Sequence, residues 1–394
     1  MEGRYLSYNR KTIIKYRYTH ELMSQYAARV EEMDISGIRE VFEAAGEDAI
    51  NLGLGQPDFP TPEHAREAAV SAIRDGMGDS YTSNKGIPEL REAISDRYAT
   101  DNGQDIPPEN IIATAGASEA IHVAIEAHVE PGDEVLCPDP GFLAYEQLVL
   151  LAGGEPKRVE LRDDLTLDPA AVENAITDNT SLFIVNSPAN PTGAVQSKQD
   201  MAEFARIADE HEVICLSDEV YEKIVFDGEH HSPAEFASSD RVIQASACSK
   251  TYSMTGWRLG WVAASSERIE RMLRVHQYVQ ACASAPSQYA AEAALTGPQE
   301  PVREMVSAFE ERRDVLLDGL EDIGLDTPVP KGAFYAMPHV PAGWTQKMLD
   351  NDVIVVPGEA FGPSGKGQAR ISYATSTAEL KEALEVMRTV TNSL

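Results

Sequence analysis

From residue 111 to about 265, short apolar runs alternate with longer stretches in which apolar residues recur every three or four positions. The runs at 111–114, 134–137, 182–186, 213–217, 242–245 and 259–263 predict strands, and 119–128 predicts a helix following the first of them. Strands that read as continuous apolar segments between helices belong to a mainly parallel sheet covered on both faces. Upstream, 35–42 is amphipathic, and Ile50 to Leu54 reads as a short strand entering a Gly/Pro turn. Helices are expected at about 62–75 and 88–102, each opened by a proline, which a first turn tolerates well. Downstream, long helices near 287–320 precede apolar runs at 333–337, 353–356 and 370–373 and a last helix from about 376. The fold class is α/β: a large domain with a mainly parallel sheet flanked by helices, plus a smaller α/β domain. Internal repeats and low-complexity tracts are absent from the sequence.

A chain of 394 residues suggests two domains more naturally than one, and a hydrophobic fraction of 43% is that of a globular protein. The 64 Asp+Glu against 33 Lys+Arg give a net charge of -31, which argues against nucleic-acid or membrane partners. Self-repulsion on that scale is costly unless salt screens it, so a halophilic setting is expected. No apolar run is long enough to cross a bilayer and the N-terminus lacks a signal-peptide core, which implies a cytoplasmic protein. Residues 1–20 are basic, with Arg4, Arg10, Lys11, Lys15 and Arg17. Residues 1–34 are expected to form an N-terminal arm, with 1–22 either its basic first part or, the preferred reading, a segment preceding a native start at Met23. Cys137, Cys215, Cys248 and Cys282 show no zinc or CxxC spacing and read as core fillers, so no metal and no disulfide framework are expected.

Three places carry candidate chemistry. Lys250 follows the strand ending near Ala245, with Arg258 eight positions on and able to share an anion with it. A lysine held near other cations and away from water is the kind whose amine attacks carbonyls. At residues 114–120 a strand passes into a helix through small residues, which forms a seat for phosphate: unpaired amides and the positive helix end face the anion. The alternative there is that Ser118 merely caps the helix. Asp218 ends an apolar strand, where a buried carboxylate needs a cationic partner, unless it caps a following helix.

The run Ser249-Lys250 through Met254-Thr255-Gly256-Trp257-Arg258 to Gly260 resembles the lysine signature of pyridoxal-phosphate enzymes of fold type I, in particular the aspartate aminotransferase-like class I and II aminotransferases. The resemblance runs from about 35 to 390 with its motifs in family order. It implies pyridoxal 5'-phosphate as cofactor, bonded at its aldehyde by Lys250, with Arg258, Gly116, Ala117 and Ser118 at the phosphate. It places Phe142 flat on the cofactor ring, Asp218 at the ring nitrogen, and Asn190 and Tyr221 at the phenolic oxygen. Gly55, in Leu52 to Phe59, and Arg370, in Arg370-Ile371-Ser372-Tyr373, would hold the substrate carboxylate, Arg370 because its planar fork suits a carboxylate. Tyr81, in the segment 81–91, would cross a homodimer interface to the neighbouring site. The domains implied are 50–285, large and cofactor-binding, and 35–49 with 286–394, small.

Two departures from the family pattern matter. Ala247 stands where a serine often touches the phosphate, so Ser249 or Ser246 would substitute. Ser118 stands where some aspartate-specific relatives carry a lysine that reads the distal carboxylate. The activity implied is transfer of an amino group from an L-amino acid, aspartate first, to a 2-oxo acid such as 2-oxoglutarate, with ping-pong kinetics. Alanine or aromatic donors, and a carbon–sulfur lyase of the same fold, are the alternatives. A DNA-binding regulator would need a larger N-terminal module, and a nicotinamide dehydrogenase a Gly-x-Gly-x-x-Gly turn; the sequence has neither.

Overall fold

The computed structural model describes residues 26–31, 33, 46 and 49–394. The helix expected at 35–42 and most of the N-terminal arm lie outside the described residues. A seven-stranded sheet forms the centre, in the order β2 (Ile111–Thr114), β8 (Gly260–Ala263), β7 (Val242–Ala247), β6 (Ile214–Asp218), β5 (Thr180–Asn186), β3 (Glu134–Asp139), β4 (Glu155–Glu160). β8 is antiparallel to both its neighbours, and the other pairs are parallel.

The sheet is apolar on both faces because side chains alternate along each strand. Leu182, Ile184, Ile214, Leu216 and Ile243 pack with the helices Ala117–His128 and Ser266–Val279. Phe183, Val185, Cys215 and Val242 point the other way, onto Met201, Phe204 and Ile207 of the helix Lys198–Glu210. Cys137, Cys215 and Cys248 are buried and Cys282 partly so, all four as free thiols. Every strand expected in this stretch is present within a residue or two. β4 is an addition, an edge strand with sequence Glu-Pro-Lys-Arg-Val-Glu whose polar faces hide it from an apolar-run search.

A second core joins the helices Glu300–Ile323 and Thr377–Asn392 to the short strands β9 (Tyr335–Ala336), β10 (Val353–Ile354) and β12 (Ala369–Ser372), and β11 (Val356–Pro357) pairs along β12. β1 (Ile50–Asn51) pairs with β10, and Leu52 is buried in this second core, so the Gly/Pro turn at 53–57 leaves it directly for the end of the large sheet. Among the described residues no helix is long and apolar enough to cross a membrane.

Candidate active site

β5, β6 and β7 end side by side at Asn186, Asp218 and Ala247, and the single-turn helix Cys248–Thr251 that follows β7 carries Lys250. The carboxyl ends of parallel strands are where open α/β sheets bind ligands. A cavity of about 300 Å³ lies there. Of the residues singled out from the sequence, Gly55, Ala117, Ser118, Phe142, Asn190, Asp218, Tyr221, Ser249, Lys250, Arg258 and Arg370 all face it. Gly116 adjoins it behind Arg258. Tyr81 does not reach it: the ring is 90% exposed on the surface of its own chain.

The Lys250 amine donates to the Gly55 carbonyl oxygen and lies 5.8 Å from the ring centre of Tyr221. Burial, then the nearby Arg370 and Arg258 guanidinium groups, bring its pKa down to about 8, while Asp218 opposes the shift. A free amine is therefore available near neutrality. Cofactor uptake by the cofactor-free protein is expected to quicken as pH rises through about 8 and then level; a profile still climbing at pH 10 would contradict this. Gly55 is required by close approach, since a Cβ there would lie 2.3 Å from the Tyr335 hydroxyl.

Asp218 is 4% exposed and accepts the Tyr145 hydroxyl at 2.6 Å. Burial pushes its carboxyl up to about 6, with the Tyr145 bond pulling the other way. No helix starts at Asp218, so the capping alternative fails; a buried carboxylate aimed into a cavity is what a cationic ring nitrogen would satisfy. Asn186, also in the wall, donates to the Asp218 carbonyl at 2.9 Å and so ties β5 to β6 below the cavity.

At the opposite end Arg370 is 3% exposed. One Nη donates to Asn190 Oδ1 at 2.8 Å, the other to the Gly53 carbonyl, and Nε has no partner among the described residues. With its oxygen accepting from Arg370, the Asn190 amide has its NH₂ left as a donor for the cavity. The guanidinium lies between the Tyr335 and Phe361 rings, 4.6 Å from each centroid. Tyr335 also bonds the Tyr221 hydroxyl at 2.8 Å. Tyr145 and Tyr335 were not singled out from the sequence, because each acts through a partner far away in the chain. Replacing Arg370 with lysine keeps the charge but loses the fork, so KM for the amino donor is expected to rise about 100-fold, within the roughly 2–5 kcal/mol such truncations cost. An unchanged KM would remove Arg370 from substrate binding.

At the turn expected to seat an anion, Gly116 precedes the helix Ala117–His128 with a φ of 79° and no side-chain cap. Ser118 therefore does not cap the helix, and the first amides stay unclaimed by it. A Cβ at position 116 would meet Arg258 Nη2 at 2.7 Å, so only glycine lets the guanidinium rest against this turn. Of the two serines offered in place of Ala247, Ser249 faces the cavity, whereas Ser246 Oγ donates to the Glu219 carbonyl at 3.4 Å. Phe142 packs edge-on against Tyr145, with centroids 5.5 Å apart, and its exposed side borders the cavity.

The family model for aminotransferase class I and II matches residues 47–387. The chain belongs to the class I and II aminotransferases. It is similar to a probable aspartate aminotransferase of Methanocaldococcus jannaschii, 43% identical over 92% of this chain and 99% of that one. It is likewise 40% identical to aromatic-amino-acid aminotransferase 2 of Thermococcus litoralis, over 92% and 97% of the two chains. Among solved structures, Thermus thermophilus aspartate aminotransferase with maleate matches with a TM-score of 0.88 and 36% identity, over 93% of this chain and all of that one. The aminotransferase is thus an enzyme of the α/β pyridoxal-phosphate fold type I, and its cofactor is pyridoxal phosphate. The site fits that group: a desolvated amine, a buried carboxylate, an uncapped helix start backed by a guanidinium, and an unpartnered Arg370 Nε line one cavity.

Proposed function

We propose that this aminotransferase takes the amino group of an L-amino acid, aspartate first, and passes it to 2-oxoglutarate in a ping-pong cycle at the cavity around Lys250. The observation that carries the reading is the amine itself, drawn down to about 8 with Asp218 and Arg370 in the same wall. Arg258, Ser249 and the Gly116, Ala117 and Ser118 backbone hold the cofactor phosphate, and Phe142 covers the ring. Asn190 and Tyr221 donate to the phenolic oxygen. Asp218 keeps the ring nitrogen protonated. Bound there, the cofactor supplies an aldehyde for the amino group and a ring that accepts the electron pair left when the α-proton departs. Arg370 and the Gly55 main chain fix the substrate carboxylate, which aims the α-hydrogen at Lys250. The Lys250 amine would take that proton and later return it, acting as base and then as acid.

One observation favours a second reading of the donor. Among the described residues the cations in the cavity wall are Lys250, Arg258 and Arg370, and each already has a duty in this scheme; Ser118 adds no charge. Aromatic amino acids or alanine would need no further cation. Adding amino acids one at a time to the yellow enzyme and following loss of the cofactor absorbance separates these cases. Bleaching by aspartate at the lowest concentration supports the first, and by an aromatic acid or alanine the second. Pyruvate and ammonia formed without any oxo-acid acceptor would overturn both.

The same reading makes the protein a cytoplasmic homodimer, in which Tyr81 of the partner subunit completes the phosphate site. The exposed Tyr81, Tyr278 and Ile73 support an interface with a second copy. The same reading divides the chain into 50–285 against 35–49 with 286–394; the core around the helices Glu300–Ile323 and Thr377–Asn392 supports a second unit from about 300 on, whereas the helix Ala285–Thr296 packs against Ala65, Ala69 and Leu90 of the large unit. The charge of -31 points to a salt-requiring enzyme. Its melting temperature is expected to fall by about 10 °C or more when molar KCl is replaced by about 0.1 M, as screening is withdrawn. A salt-indifferent melt would contradict the halophilic assignment.

A further inference from the structure

Glu119 and His276 form a buried pair that none of the duties above employs. Glu119 lies in the first turn of the helix Ala117–His128 and is 8% exposed; His276, near the end of Ser266–Val279, is fully buried. The imidazole Nδ1 lies 2.7 Å from Glu119 Oε1. The other carboxylate oxygen accepts the Ala115 N–H, at the turn that leads into Gly116. On its far side the ring places Nε2 2.8 Å from the Asn84 carbonyl oxygen. Asn84 belongs to the loop that presents Tyr81, and its side-chain amide donates to the Ala281 carbonyl at 2.6 Å.

The partners dictate where the hydrogens are. A backbone carbonyl only accepts, so Nε2 carries a hydrogen. Nδ1 and Oε1 must then hold one more proton between them, because two lone pairs 2.7 Å apart would repel. Wherever that proton sits, the pair has no net charge. Without it, a carboxylate would stand in low dielectric one turn from the seat of an anion, where like charges disfavour each other strongly.

We propose that His276 is a positioning residue for the cofactor phosphate: it neutralises Glu119 and, through Glu119 and Asn84, fastens the phosphate turn to the loop bearing Tyr81. This rests on the reading of residues 116–118 and Arg258 as the phosphate seat. Since Tyr81 serves the neighbouring site in that reading, one histidine braces both a subunit's own seat and the arm it extends to its partner.

The test is cofactor retention by the holoenzyme, followed as loss of bound-cofactor absorbance after dilution. His276→Gln keeps a donor but cannot share the proton. It is expected to release pyridoxal phosphate about tenfold faster or more, with KM for the amino donor changed by less than about twofold. The double variant Glu119→Gln with His276→Gln removes the uncompensated carboxylate and is expected to recover much of that retention. A merely structural pair would give a double variant no better than the single one. Arg258→Ala serves as the reference for the seat. Release unchanged in His276→Gln while Arg258→Ala loses cofactor would overturn the inference alone, as would failure of the double variant to improve on the single. Release unchanged in Arg258→Ala would overturn the seat and the inference with it.

Discussion

Lys250→Ala is expected to lower turnover by at least about a thousandfold, in keeping with what a positioned acid–base group contributes. Cofactor should still bind through the seat at Gly116 to Ser118 and Arg258, but with the absorbance of a free aldehyde. The size of the effect follows from the surroundings: Lys250 is the amine whose pKa is drawn to about 8 by burial and by Arg370 and Arg258, in the wall that Asp218 shares. Exogenous small amines that fit the cavity should restore part of the turnover, because the bulk of the machinery remains in place. A Lys250→Ala enzyme within about tenfold of the parent would place the proton transfer elsewhere.

Asp218→Asn should leave cofactor binding and KM nearly unchanged and cut turnover by at least about 100-fold, the scale on which a preorganised charge facing a reacting group operates. The asparagine preserves shape and can still accept the Tyr145 hydroxyl, so the loss reports the charge rather than the packing. Burial pushes the Asp218 carboxyl up to about 6 against the pull of the Tyr145 bond and the Lys250 charge, and a cation facing it pulls that midpoint further down. The loaded enzyme should therefore stay active below pH 6. An Asp218→Asn enzyme turning over near the parental rate would remove the electronic role and leave Asp218 as a buried partner of Tyr145.

How much of this could be read in advance depended on whether a residue advertises its own environment. Lys250 lies just beyond an apolar strand and Asp218 at the end of one, so strand periodicity marks both as candidates; Asn190, four residues past its strand, was legible only through the family resemblance. Tyr145 and Tyr335 meet their partners across 73 and 114 residues, so their hydrogen-bond roles do not show in local sequence. Glu119 is a first-turn acid whose partner, His276, comes from 157 residues away, a separation that local sequence does not show. β4 was missed for a different reason, since an edge strand can afford polar side chains on both faces. The choice between Ser246 and Ser249 needed the structure because both flank Ala247 and only the direction of each side chain separates them.

Borohydride reduction of the native yellow protein, followed by digestion and peptide mapping, tests the centre of the account most directly. The phosphopyridoxyl group should be recovered on the peptide containing Ser249-Lys250-Thr251, in a yield matching one cofactor per chain. Recovery of that label on any other lysine, or a protein that takes up pyridoxal phosphate without any reducible bond, would contradict it.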